Sequence, residues 1–168
     1  MNQLINFFWT ILCFIPVVGF WAVAGVSWLL YVFVGVSVLS LLIRASALQL
    51  NTNPKYYERL GVKLIRKLVQ NGDISNKMSR RRNAGHKLIK NRLGVASYYS
   101  TIVMYERYHF ACLIFFLITA IYAVSVHETG YFMIIFLANI IYNICPILLQ
   151  QYNRARILKV TKRQLHTV

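Results

Sequence analysis

The 168 residues of this chain suffice for one compact domain, and 58% of them are hydrophobic, above the usual share in soluble domains. The formal charge of +15 comes from 19 Lys and Arg against four Asp and Glu. Because the basic residues border long apolar runs, we expect anionic lipid headgroups or anionic substrates as partners and do not expect nucleic acid. The composition excludes a soluble protein and predicts an integral membrane protein.

The first apolar run extends from Leu4 to Ile43 without one charged residue. A helix needs about 20 residues to cross a bilayer, so the run is long enough for two crossings. Pro16 and the two glycines of residues 19–25 interrupt it. We therefore predict a helical hairpin with spans at about 4–20 and 23–43, and a single long kinked helix is the alternative.

The basic segment that follows, residues 44–108, is predicted to form amphipathic helices on the cytoplasmic side. One helix is expected to start at Asn53-Pro54 and to end at Asn71-Gly72. Its apolar face would consist of Tyr57, Leu60, Leu64, Ile65, Leu68 and Val69. Such a helix is expected to lie in the membrane interface. Packing of the same helix against the ends of the bundle is equally favoured, and the two arrangements are compatible.

Further along this segment the basic residues become dense. Arginine offers bidentate contacts to phosphate and lysine a point charge. We therefore predict a phosphate-binding or headgroup-binding role for Arg80, Arg81, Arg82 and Lys87. A solvated basic face is the alternative for part of this set.

Two more spans are predicted at about 109–127 and 130–150, joined by the short link HETG. Every Lys and Arg lies either between the second and third spans or after the fourth. The positive-inside tendency then places both regions, and both termini, in the cytoplasm.

The predicted fold class is therefore all-α: a polytopic membrane helical bundle with about four transmembrane helices and cytoplasmic amphipathic helices. Residues 1–168 would form a single membrane domain with the basic loop at 44–108 and a basic tail at 151–168.

The sequence YERYHF contains the one evident acid–base pair, Glu106 and His109. Residues three apart share a face of a helix, and a carboxylate beside an imidazole orients the ring and raises its basicity. This arrangement suits a general base that acts on a hydroxyl. A structural pair, with Glu106 bound to a nearby arginine, is the alternative. The chain has too few carboxylates for a di-metal site, so we expect no metal.

The sequence PILLQQYNRAR, residues 146–156, ends the last apolar run with a dense polar stretch. If the last two spans are antiparallel, this stretch lies level with Glu106 and His109 at the cytoplasmic interface. The predicted substrate-binding residues at this interface are Gln150, Tyr152, Asn153, Arg154 and Arg156, together with Glu58 and Arg59 of the loop.

Three segments, NPKYYERLGVKLIRKLVQNGD, YERYHF and PILLQQYNRAR, together resemble the glycosyl-4,4′-diaponeurosporenoate acyltransferase family. These are small bacterial membrane proteins that attach a fatty acyl chain to a sugar hydroxyl. The resemblance implies an acyltransferase of the bacterial cytoplasmic (inner) membrane, with a lipid or glycolipid acceptor. Acyl-CoA or another acyl donor would be a substrate, and no bound cofactor is expected.

For an acyltransferase we assign His109 as the base toward the acceptor hydroxyl, with Glu106 orienting it. Asn153 or Tyr152 would donate to the developing oxyanion. The donor phosphates would be bound by Arg154, Arg156 and the run Arg80, Arg81 and Arg82.

The competing hypothesis is a non-enzymatic small membrane subunit that binds lipid or scaffolds a complex. In that case the polar end of the last helix satisfies its own backbone carbonyls while the arginines meet headgroups. The sequence leaves the oligomeric state open, either a homo-oligomer or a larger membrane complex.

Overall fold

The computed structural model describes residues 2–68 and 92–165, which are helical apart from short links and contain no strand. The first part comprises α1 (Asn2–Ala24), α2 (Trp28–Leu39) with a 3₁₀ turn (Ser40–Leu42), α3 (Ala45–Leu48), α4 (Pro54–Arg59) and α5 (Val62–Leu68). The second part comprises α6 (Arg92–Ser125), α7 (Thr129–Asn139), a π-helical turn (Ile140–Ile144) and α8 (Cys145–Leu165). The predicted all-α fold class is confirmed.

Three helical stretches are long and apolar enough to cross a membrane, namely Asn6–Ala24, Ala96–Ser125 and Thr129–Lys159. Many of their apolar side chains are exposed, as lipid-facing surfaces require. The helical stretch Trp28–Leu42 is shorter. At 1.5 Å per residue it rises about 22 Å, against about 30 Å of hydrocarbon. The second predicted span, 23–43, therefore corresponds to a helix that is too short to cross the hydrocarbon on its own.

The break between α1 and α2 falls at Gly25, later than predicted, while Pro16 lies inside α1. Gly25 has φ +82°, a conformation that glycine adopts without the steric penalty of a Cβ atom. After this turn the chain folds back, because Phe33 of α2 lies 5.7 Å from Trp21 of α1 between ring centroids and also contacts Tyr122 of α6. The chain thus turns back at Gly25, with α1 packed mainly on α7 and α2 on α6, and the predicted pair of crossings at 4–20 and 23–43 stays a prediction.

The link between α6 and α7 is short and tightly hydrogen-bonded. The N–H of Glu128 donates to the carbonyl oxygen of Ala123 at 2.8 Å, and that of His127 donates to Val124 at 3.0 Å. His127 has φ 65°, so these bonds form a Schellman cap that ends α6. The chain reverses here, and α6 packs against both α7 and α8.

The predicted loop helix is divided into α4 and α5 because Gly61 takes a φ of +81°. It begins as predicted, with the Asn53 side chain accepting from the N–H of Lys55 at 3.1 Å and Pro54 in the first turn. Tyr57 and Val62 are fully buried against α8, whereas Leu64 is 65% exposed. Part of the apolar face therefore packs on the bundle and part remains outside it. The predicted end of this helix, at Asn71-Gly72, lies outside the described residues.

Candidate active site

A buried ion pair joins α6 to α8. The Glu106 side chain is inaccessible and Arg154 is 2% exposed. Arg154 Nη2 donates to Glu106 Oε1 at 3.2 Å, and Nη1 lies 3.1 Å from Oε2 in an ionic contact outside hydrogen-bond geometry. A charged pair without solvent is stable only where further hydrogen bonds satisfy its remaining polar atoms.

Those further bonds come from the chain that follows α2. Arg154 Nη2 donates to the carbonyl oxygen of Ala45 at 2.8 Å, and its Nε donates to the Gln49 side-chain oxygen. Side chains on a helix tilt toward its N-terminus, which directs the Arg154 head from α8 back toward the bundle. One guanidinium therefore ties α8 to α6 and to the segment 45–49.

Gln151 adds a second hydrogen bond to the same carboxylate oxygen of Glu106. Its Nε2 donates to Glu106 Oε1 at 3.0 Å and to the carbonyl oxygen of Leu48 at 2.6 Å. Its Oε1 accepts the N–H of Leu50 at 3.2 Å. The side chain is 1% exposed, so nearly all of its hydrogen-bonding capacity is used inside the protein.

The Tyr57 hydroxyl connects α4 to this junction. It accepts from Gln49 Nε2 at 2.6 Å and from the N–H of Asn51 at 2.9 Å. Its own proton faces the Asn51 carbonyl oxygen at 2.7 Å and Gln151 Oε1 at 3.2 Å. We call Gln49, Tyr57, Glu106, Gln151 and Arg154 the buried polar cluster.

The buried polar cluster lies at one end of the apolar bundle. The twenty or so residues that a crossing requires, counted back from Ser125, begin near Glu106. The cluster is therefore at the expected membrane boundary, at the end of α6 opposite to the turn at His127.

A second set of contacts lies at the rim of the cluster, between α4, α5 and α8. The Lys63 ammonium lies 2.8 Å from Glu58 Oε2, and the Tyr152 hydroxyl donates to Glu58 Oε1 at 3.2 Å. The Lys63 bond is the main reason that the pKa of Glu58 is lowered, with a smaller contribution from Tyr152. The guanidinium carbon of exposed Arg156 lies 5.4 Å from the centre of the Tyr152 ring, a cation–π contact.

His109 occupies a different environment from Glu106, although both lie on α6. Its ring contacts those of Tyr108 and Tyr142 edge-to-face, at centroid distances of 5.2 and 5.3 Å. It also interacts with the Asn143 side chain and the Tyr142 backbone carbonyl. His109 Nδ1 and Asn143 Oδ1 are buried atoms of these two neighbouring side chains, and within the described parts of the chain neither atom forms a hydrogen bond of regular geometry.

The Tyr142 carbonyl is available to His109 because of Pro146. In a regular helix it would accept the N–H of residue 146, and proline has none. The helix widens at this point into the π turn Ile140–Ile144, in which the N–H of Cys145 bonds to the carbonyl oxygen of Ile140. Single π turns inside α-helices often occur at functional sites.

A directional chain of hydroxyls connects this site to α1. The Thr10 hydroxyl gives its proton to the carbonyl oxygen of Asn6 at 2.8 Å, so it accepts from the Tyr142 hydroxyl at 3.0 Å. Because the Tyr142 hydroxyl donates its proton to Thr10, its oxygen accepts the hydrogen bond from the Tyr108 hydroxyl at 3.3 Å. The tyrosines on either side of His109 are thereby fixed by α1. We call His109, Asn143, Tyr108, Tyr142 and Thr10 the histidine site.

The predicted site residues fall into these groups unevenly. The contacts of Glu106 in the described structure are with Arg154 and Gln151, which is the structural alternative considered for it, and no bond to His109 is among them. Gln150 and Asn153 are half-buried on α8, and Arg59 is exposed at the end of α4. Arg80, Arg81, Arg82 and Lys87 lie outside the described residues.

Several residues of the two sites were not predicted. Tyr57 was assigned to an apolar face, although a tyrosine that is buried usually finds a partner for its hydroxyl. Pro146 was a usable signal, because it frees the carbonyl four residues earlier. Gln49 and Thr10 carry no local signal, since their roles depend on tertiary contacts alone.

The fold and the two sites define a small helical membrane protein whose buried charged pair lies at one end of its bundle. The chain matches the model of the glycosyl-4,4′-diaponeurosporenoate acyltransferase family over residues 43–163, more than two thirds of its length, and it belongs to that family. The membership confirms the resemblance seen in the sequence and supports a general acyltransferase role. Neither the curated proteins nor the solved structures gave a match to this chain. The α1–α2 hairpin precedes the matched residues.

Proposed function

We propose that this protein transfers a fatty acyl group to a sugar hydroxyl of a lipid or glycolipid at the cytoplasmic interface of the bacterial inner membrane. Family membership supports the reaction class. The observation that carries the residue assignment is His109, a half-buried imidazole whose inaccessible Nδ1 forms no hydrogen bond of regular geometry in the described structure. An imidazole nitrogen of this kind can accept a proton from a substrate hydroxyl.

In the proposed reaction the acceptor hydroxyl donates to His109. His109 takes the proton as the hydroxyl oxygen attacks the acyl carbonyl carbon, and the bond between that carbon and the leaving group of the donor then breaks. His109 returns the proton to the leaving group, which is a thiolate if the donor is acyl-CoA. The backbone of Tyr142 hydrogen-bonds to the ring and orients it toward the acceptor.

Glu106 acts in this proposal through position and not through proton transfer. Its bonds to Arg154 and Gln151 hold α6 and α8 in register one turn away from His109. Arg154 belongs to the same junction, because its donors are bonded to protein groups inside the bundle. We assign the binding of donor phosphates to exposed Arg156, together with the basic residues predicted for this role at 80–82 and 87.

The developing oxyanion needs a donor that is not already engaged. The Tyr152 hydroxyl gives its proton to Glu58. We therefore favour half-buried Asn153 over Tyr152 for this role.

The proposed orientation places both termini in the cytoplasm. It is supported by the distribution of the 19 Lys and Arg, none of which lies in the link between α6 and α7. The buried polar cluster would then face the compartment that supplies acyl-CoA.

The test is a comparison of His109→Ala with His127→Ala, an exposed histidine at the opposite end of α6. Membranes that contain each variant are given labelled acyl-CoA and total cell lipids, and acylated glycolipids are measured by mass spectrometry. We expect His109→Ala to lose about a hundredfold or more of the transfer rate and His127→Ala to retain it. Both variants should be recovered from membranes in the wild-type amount. Near-normal transfer by His109→Ala would remove the assignment.

The competing function, a non-enzymatic subunit, is favoured by one observation. Gln151 and Arg154 of the family-like motif bind the backbone of residues 45, 48 and 50, as a purely structural motif would. An unchanged set of cellular lipids when the protein is absent, with the protein recovered in a stable complex, would favour this function over the first.

A further inference from the structure

The helices α4 and α5 carry apolar side chains that the bundle does not cover. Tyr57 and Val62 are fully buried and pack on α8. The exposed side chains, which we call the outer apolar face, are Tyr56, Leu60 and Leu64. The N–H of Leu60 bonds to the carbonyl oxygen of Tyr56, so these two side chains share a side of α4. Leu64 lies about 200° from Val62 around α5 and therefore points away from α8.

The outer apolar face lies at the depth of the membrane boundary. The Tyr57 hydroxyl bonds to Gln151, which in turn bonds to Glu106 at the boundary expected for α6. Val62 belongs to the same apolar cluster as Leu149 of α8, inside a stretch apolar enough to cross the membrane. An exposed apolar side chain at this depth meets either the acyl boundary of the bilayer or another protein.

The charges around this face favour the bilayer. Residues 44–68 carry six Lys and Arg against one carboxylate, that of Glu58, whose Oε2 already lies 2.8 Å from the Lys63 ammonium. The exposed cations form two basic edges with a spacing of four residues on each helix, namely Lys55 and Arg59 on α4, and Lys63 and Lys67 on α5. Basic edges beside an apolar face are typical of helices that lie in the interface of an anionic membrane.

We propose that the outer apolar face inserts into the acyl boundary of the adjacent membrane leaflet, while the two basic edges bind the phosphate groups of anionic lipids in that leaflet. The helices α4 and α5 are thereby held between the bundle, through Tyr57 and Val62, and the lipid, through Leu60 and Leu64. High salt weakens the contribution of the basic edges but not that of the apolar face. This attachment goes beyond the proposed function, because it needs neither an acyl donor nor an acceptor.

The experiment measures the depth of position 64 in the full-length protein by spin-label EPR. The label is attached in Leu64→Cys, and its collision rates are measured with oxygen, which concentrates in lipid, and with a water-soluble nickel chelate. Lys63→Cys, on the basic edge, is the aqueous control, and Val18→Cys, on the exposed side of α1, is the lipid control. All three are made in a background in which alanine replaces Cys13, Cys112 and Cys145. The protein is placed in bilayer nanodiscs of phosphatidylcholine alone or of phosphatidylcholine and phosphatidylglycerol in equal parts.

In the anionic nanodiscs we expect the label at position 64 to resemble that at position 18, with high oxygen and low nickel accessibility. The label at position 63 should remain accessible to nickel. In phosphatidylcholine alone the inserted fraction at position 64 should fall. Loss of three cations should shift the insertion equilibrium in the anionic nanodiscs by about a hundredfold toward water, as measured in a variant that combines Lys55→Gln, Arg59→Gln and Lys67→Gln.

A label at position 64 that is accessible to nickel in both lipid mixtures would overturn the proposed insertion. A label that neither reagent reaches would overturn it as well, because another part of the protein or a second copy would then cover the outer apolar face. Equal insertion with and without phosphatidylglycerol would overturn the role of anionic lipids. None of these outcomes bears on acyl transfer.

A second measurement applies if the cysteine-free protein is not recovered from membranes. The photoreactive residue benzoylphenylalanine is then incorporated at position 64 of the otherwise native chain, in membranes that contain phosphatidylglycerol. Irradiation should give adducts with phospholipid, identified by mass spectrometry. Adducts with protein alone would contradict the insertion.

Discussion

Arg154 on α8 and Glu106 on α6 form a salt bridge from which solvent is excluded, with Nη1 3.1 Å from Oε2 and side-chain exposures of 2% and 0%. The same guanidinium holds the carbonyl of Ala45, at the start of α3. The pair therefore joins the two helices to the segment that connects the hairpin to the loop. Removal of one partner from such a pair leaves a buried charge without a counter-charge.

Arg154→Ala is expected to lower the free energy of unfolding by about 3–5 kcal/mol, because it leaves the Glu106 carboxylate unpaired. Arg154→Lys keeps the charge but lacks the planar guanidinium that bonds to Glu106, Gln49 and Ala45 at once. We therefore expect an intermediate loss of unfolding free energy. The measurement is the thermal or denaturant unfolding of the detergent-solubilised protein. Arg156→Ala, on the exposed side of the same helix, should cost less than about 1 kcal/mol.

The opposite pattern would favour the role predicted from the sequence for Arg154. If Arg154→Ala unfolds like wild type but loses acyl transfer, the side chain binds substrate and the ion pair is of secondary importance to the fold.

Tyr57→Phe tests whether the loop is fixed to α8 through one hydroxyl. The change removes the hydroxyl that accepts from Gln49 and from the N–H of half-buried Asn51, and that N–H is left without this partner. We expect a loss of about 1–3 kcal/mol of unfolding free energy. The neighbouring Tyr56, which is 39% exposed, provides the matched control Tyr56→Phe, with an expected change within about 0.5 kcal/mol. Equal stabilities of the two variants would contradict a role of the Tyr57 hydroxyl in holding the loop.

Features that depend on neighbouring residues in the sequence were predictable. Uninterrupted apolar runs predicted the long helices because hydropathy and length are local properties. Asn53 and Pro54 predicted the start of α4, since a capping side chain and a fixed φ act within one turn.

The partners of the polar side chains were less predictable. That Glu106 would bind an arginine was one of two alternatives, but the spacing in the sequence could not say that this arginine is Arg154. The contribution of Gln49 was not anticipated, because it follows from the fold of the chain around α8. Thr10 lies in an apolar run and became part of the histidine site only through the packing of α1 on α7 and the π turn.

The contact between Glu58 and Lys63 predicts a pH dependence for the attachment of α4 and α5 to α8. The pKa of Glu58 is lowered below its ordinary value of 4.5, mainly by the Lys63 hydrogen bond. A depressed carboxyl pKa contributes stability above its unfolded value, and this contribution is lost as the pH falls through the folded value. The pKa of Lys63 is raised above 10.5 by the same bond, so its contribution is lost at the alkaline end.

We therefore expect the melting temperature to decrease as the pH falls below about 4.5, and to decrease less steeply in Glu58→Gln. The side chains are largely exposed, so the effect should be small and should shrink at high salt. The measurement is a series of melting curves from pH 7 to pH 3 at low and high ionic strength. Identical pH profiles for wild type and Glu58→Gln would show that this contact does not contribute to the attachment.

Pro146→Ala separates stability from function at the histidine site. Alanine restores an N–H that can bond to the Tyr142 carbonyl, and it removes a residue that is unfavourable inside helices. The Tyr142 carbonyl then bonds to the backbone and no longer to His109, and the π turn is expected to revert to a regular α-helix. We expect acyl transfer to fall about tenfold or more, while the free energy of unfolding is unchanged or higher.

The matched control is Pro16→Ala, the other proline inside a long helix. It should raise or maintain stability in the same way without a loss of transfer, because Pro16 is not part of the histidine site. Acyl-transfer rates in membranes and unfolding curves in detergent are measured for both variants. Full activity in Pro146→Ala would mean that the freed Tyr142 carbonyl does not orient His109.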